Sequence, residues 1–185
     1  HITLGRQRIN WGQTLAWNPN DIFNTYSFFD FDYIERPGSD ALRVQYYNTE
    51  TSVIELAVKI NYEEQITAAG LYRFNALGYD IQILGGLFNN SDYVVGTGFS
   101  GNIKSMALRG EATYLHPIDH PADTSGMLIT SIEADYTFGN MITIQGEYLF
   151  NQKPGIDFGR FVNTYNTQLD IKTISFVKHN FLAQV

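Results

Sequence analysis

Apolar and polar side chains alternate with a period of two through residues 127–150, MLITSIEADYTFGNMITIQGEYLF. Leu128, Thr130, Ile132, Ala134, Tyr136 and Phe138 share one parity, and Ser131, Glu133, Asp135 and Thr137 share the other. Beyond Gly139-Asn140, Ile142, Ile144, Gly146, Tyr148 and Phe150 oppose Thr143, Gln145 and Glu147. Successive side chains of a strand point to opposite faces, so this stretch predicts two strands, each with one apolar and one ionic face. Gly139-Asn140 is the tight turn that joins them. Each run is about ten residues long and its apolar face ends in aromatics, as a tilted strand crossing a bilayer requires.

The pattern recurs along the chain. Residues 2–11 predict a first strand, with a bulge near Gly5. Strand two covers 41–47, with Leu42, Val44 and Tyr46 against Arg43 and Gln45. After a turn at 48–52, strand three sets Ile54, Leu56, Val58 and Ile60 against Glu55 and Lys59. Strands four (66–77), five (80–88), six (93–103) and seven (106–115) follow, with Arg73, Asp80, Arg109 and Glu111 on the polar parity. Strand six carries small residues, Gly96, Gly98 and Ser100, on one face. The 127–150 hairpin supplies strands eight and nine, and 174–185 a tenth. Inside the long segment 12–40, Asn18-Pro19-Asn20-Asp21 predicts a turn leading into a short capped helix.

Loop lengths carry an independent signal. The odd-to-even connections are 12–40, 62–65, 89–92, 116–126 and 152–172; the even-to-odd ones are 48–52, 78–79, 102–105 and 139–140. Every long loop therefore falls at one end of the strands, as in outer-membrane barrels. Alternation alone also fits a soluble barrel or sandwich with its apolar face inward. Strand length, aromatic ends and one-sided loops favour the membrane.

Composition agrees with interleaved polarity. Only 17% of the 185 residues are charged, against 15% aromatic, where average proteins carry roughly 25% charge. Mean hydropathy is −0.18, and no run of about 18 apolar residues occurs, which excludes a membrane helix. The absence of cysteine rules out a disulfide framework or a thiolate metal site. A net charge of −7 argues against a broad nucleic-acid-binding surface. The chain opens at His1 with neither an initiator Met nor a signal peptide, so a processed or incomplete chain is expected.

The opening Leu4-Gly5-Arg6-Gln7 with Trp11-Gly12, strands such as Gly70-Leu71-Tyr72-Arg73-Phe74, and the Asn18-Pro19-x-Asp21 turn give the chain its kinship. It resembles bacterial outer-membrane β-barrels of the porin-like kind, by architecture over essentially its whole length. The resemblance implies an all-β, antiparallel, up-and-down transmembrane barrel, with about ten strands visible here and the natural barrel able to hold more. The last strand lacks the terminal aromatic usual in complete barrels of this type.

If the apolar parity meets lipid, the ionic parity faces a lumen. The expected lining is Arg43, Glu55, Lys59, Arg73, Asp80, Arg109, Glu111, Glu133, Asp135 and Glu147. So many ions demand water or partners, because an unpaired buried charge costs several kcal/mol. Glu133 and Asp135, neighbours on one face, are expected to pair with Arg109. The His116-Pro117-Ile118-Asp119-His120 run with Asp123 does not read as a metal site, since Pro117 breaks the helix that would align the two histidines. Asp21, Asp30 and Asp32 lack the spacing of a calcium loop. No nucleophile elbow or phosphate-binding glycine motif is present. The expectation is a non-enzymatic outer-membrane channel, without cofactor, for diffusion or export of small polar solutes, with 12–40 or 152–172 folding inward as a constriction. The alternatives are a plugged barrel whose long loops dock an envelope protein or a second copy and, last, an outer-membrane enzyme.

Overall fold

In a computed structural model, residues 1–24, 38–119, 121, 125–139, 142–154, 171–175 and 177–185 are described. They form one ten-stranded sheet in chain order: β1 (Ile2–Gln7), β2 (Ser39–Thr49), β3 (Ser52–Ile60), β4 (Ile66–Ala76), β5 (Tyr79–Phe88), β6 (Asp92–Ile103), β7 (Met106–Pro117), β8 (Met127–Phe138), β9 (Ile142–Asn151) and β10 (His179–Gln184). Every neighbouring pair is antiparallel. The only regular helix among the described residues is a 3-10 turn at Ile171–Thr173.

The hairpin expected from alternation is β8 and β9, whose register runs unbroken from Phe138↔Ile142 through Ile132↔Tyr148 to Ile129↔Asn151. Tight turns close the short end of the sheet. Leu77-Gly78, between β4 and β5, takes positive φ at both positions, 55° and 81°, the geometry that matches the twist of paired strands. The long connections all leave from the opposite end, as the loop lengths predict.

The apolar parity faces outward. Leu56, Ile83 and Ile132 are 56%, 51% and 47% exposed, although each sits mid-strand, and Ile144 near the start of β9 is 46% exposed. They do not pack together into a core, as the soluble alternative requires. Buried apolar side chains lie instead on the inner face and on residues 9–23, among them Trp11, Trp17, Phe23, Leu115, Ile129 and Leu149.

Five expectations need correction. The sheet is open: among the described residues β1 pairs only with β2, and β10 only with β9, so no closed barrel is formed. Both edges are short because the chain turns inward after Gln7 and reaches β10 only at His179. β1 therefore ends well before Trp11, and its register runs through Gly5 without a bulge. β10 starts later than residue 174, since Ile174 and Ser175 are buried and Ser175 Oγ bonds Val177 O and Asn180 Oδ1. The helix after Asn18-Pro19 is absent from the described residues 21–24; Asp21 N donates to Asn18 O at 3.0 Å and closes a turn only.

Candidate functional site

Cross-strand partners share a face of a sheet. The series Arg43, Ala57, Ala69, Gly86, Val94, Leu115, Met127 crosses from β2 to β8 on the inner side. With a period of two, all ten of the ionic residues singled out from the sequence lie on that face, Glu147 joining through its partner Glu133. Their surroundings differ. Glu55, Glu111, Glu133 and Glu147 are buried, whereas Arg43, Lys59, Arg73, Arg109 and Asp135 are partly exposed and Asp80 is exposed.

Part of the charge is paired within the wall. Arg43 grips Glu55 with two bonds of 2.7 Å, and Gln45 adds a third at 2.9 Å. Arg109 meets Glu133 at 2.7 Å and Asp135 at 2.9 Å, the pairing expected from their spacing. Lys172 meets Asp92 at 2.5 Å, a pair the alternation of the strands does not reveal. Arg73 donates to Gln82 at 3.0 Å.

Glu111 and Glu147 are satisfied differently. Neither is ion-paired with a described residue. They accept main-chain N–H groups from a segment, residues 9–24, that follows β1 and runs across the inner face. Glu111 takes the N–H of Gln13, of Thr14 at 2.8 Å and of Asn20 at 2.9 Å. Leu15 N–H goes to Glu133 at 2.8 Å, and Ala16 and Trp17 N–H to Glu147 at 2.8 and 2.9 Å. Three adjacent strands thus hold six main-chain donors of one segment through carboxylates. Such charge-assisted bonds are stronger than neutral ones.

At its other end the segment is fixed by Trp11, 1% exposed. Its indole N–H donates to Glu55 at 2.6 Å, its carbonyl accepts from Gln82 Nε2 at 2.6 Å, and its ring meets Phe23 edge-on at 4.9 Å. Between the ends, Asn20 bonds Thr97 O at 2.9 Å and Thr113 Oγ1 at 2.7 Å. The seat exists because β6 is small there: a Cβ on Gly96 would fall 2.5 Å from Asn20 Oδ1, and one on Gly98 2.8 Å from Gln13 Oε1. Asp21, buried in the same segment, has its carboxyl pushed up to about 7 by burial.

The sequence thus places the ionic face and names 12–40 as a segment able to fold inward over it, but not the residues that hold it there. Trp11 and Asn20 fall in the Trp11-Gly12 and Asn18-Pro19-x-Asp21 stretches without a role legible there, and Gln82 and Thr113 have no motif around them; the small residues of strand six are a further trace. His120, Asp123, Asp30, Asp32 and Asn140 lie outside the described residues. Compared with known proteins, the chain matches no family model, no curated protein and no solved structure.

Proposed function

We propose that this chain forms the wall of a transmembrane β-barrel in a bacterial outer membrane, passing small polar solutes through a hydrated interior that residues 9–24 constrict. The observation that carries this reading is the inversion of polarity: mid-strand Leu56, Ile83 and Ile132 face out, as does Ile144, while buried carboxylates face in. In water an exposed apolar surface this broad is a liability, whereas hydrocarbon removes the cost. Aromatics at both strand ends, Tyr46, Tyr136 and Phe138 toward the short turns and Tyr93 and Tyr114 toward the long loops, suit two membrane interfaces.

Closure follows from the same premise. An open edge leaves main-chain groups without partners, which hydrocarbon does not tolerate. β1 and β10 run antiparallel because the strand number is even, so they can pair directly or through further strands. The lining would include Arg43 and, on the side of the short turns, Arg73, Asp80, Arg109 and Asp135, with lipid outside and small polar solutes inside. Reconstitution into planar bilayers tests the proposal: discrete conductance steps are expected, and a protein that neither inserts nor conducts contradicts it.

The depth at which Trp11, Trp17 and Phe23 are buried favours a second reading, a plugged barrel whose long loops dock an envelope protein or another copy. Insertion without conductance, together with a stoichiometric copurifying partner, distinguishes it.

A further inference from the structure

The wall and the segment that covers it satisfy their main chains by separate means. Wall strands bond one another along continuous ladders. Six N–H groups of the segment bond instead to glutamate side chains. Removing the segment would break no ladder. It would hydrate its own N–H groups and the buried carboxylates, which offsets part of the cost of exposing Ile9, Trp11, Ala16, Trp17, Ile22 and Phe23.

We propose that residues 9–24 are a releasable strap, latched where Trp11 meets Glu55 and Gln82, whose release opens the interior. This rests on the channel reading and adds its regulation. Trp11 is the latch because one residue joins the strap to β3 through its indole N–H and to β5 through its carbonyl, each at 2.6 Å. Glu55 stays paired with Arg43 when the strap leaves, so the wall retains a satisfied site. Glu111 and Glu147, which no described cation neutralises, become exposed, and the open interior prefers cations.

Two variants of the full chain test this. Trp11→Phe removes the indole donor but keeps a ring against Phe23. Asn20→Cys with Thr113→Cys staples the strap where the two side chains touch at 2.7 Å; the chain has no other cysteine to compete. Amide exchange of residues 13–20 and bilayer conductance are read together. Exchange of the strap as a unit, faster than the amides of β7–β9, is expected. Trp11→Phe should speed it on the order of tenfold or more, as loss of a bond to a charged group does, and raise the open fraction in parallel. The oxidised staple should stop both and reduction restore them. A strap that exchanges no faster than the wall and ignores Trp11→Phe overturns the proposal, as does an oxidised staple that conducts like the wild type. Strap exchange that responds as expected, with no conductance in any form, leaves the strap standing and rejects the channel.

Discussion

The ten-stranded wall and the strap at residues 9–24 are built from one chain on opposite principles. In the wall, backbone pairs with backbone, and side chains are free to sort by polarity into an outer and an inner face. In the strap, backbone pairs with side chains of the wall, and its own aromatics fill the interior. The wall is therefore robust to single changes at most positions, while the strap depends on a few carboxylates. A buried carboxylate can be a structural acceptor rather than a solute contact, even on a face that otherwise looks like a pore lining.

The largest expected effect comes from breaking that dependence. Glu111→Ala strands the N–H groups of Gln13, Thr14 and Asn20. Each buried donor without a partner costs ~1–3 kcal/mol and three lose theirs together, so amide protection across 13–20 should collapse while the ladders of β2–β6 keep theirs. Next is the outer face. Ile132→Arg in lipid should cost ~2–4 kcal/mol, the penalty of a cation on the lipid face at mid-bilayer, measured by unfolding from vesicles. The same change would cost little if that face, 47% exposed at Ile132, met water.

A smaller effect is a pH dependence of the strap. Burial raises Asp21 from 3.8 to about 7, with nearby Glu111 adding to the rise and the Asn24 N–H, Arg8 and Lys59 opposing it. The folded state then holds the proton more tightly than the unfolded state. Its contribution is complete below about pH 4 and is lost as pH climbs to about 7. Protection at 13–20, corrected for intrinsic exchange, should fall from pH 5 to pH 8, and Asp21→Asn should reduce that fall, the carboxyl of Glu111 beside it remaining in place. Smallest is Arg6→Gln at the Arg6–Asp40 pair, whose side chains are 65% and 60% exposed. Solvent screens such a pair, and thermal unfolding should not change measurably.

Strand alternation was legible because side-chain parity is written residue by residue; Ile132 against Glu133 and Ile144 against Gln145 show it directly. The strap was legible only as a long loop able to fold inward. Its bonds to Glu111 and Glu147 use main-chain N–H groups, which every non-proline residue has, so they leave no mark in the sequence. Gly96 and Gly98 were the available trace, since inward-facing glycines on a wall strand make room for something. The open edges were not legible either, because alternation in β1 and β10 is the same whether or not a neighbour pairs with them.

The most direct test of the central claim, that the apolar parity meets lipid, is a nitroxide scan of residues 128–138 in vesicles. Oxygen collision rates should peak at 128, 130, 132, 134, 136 and 138 and fall at the positions between, with a water-soluble nickel chelate excluded from 130, 132 and 134. Equal access of that chelate to 132 and its neighbours would contradict it.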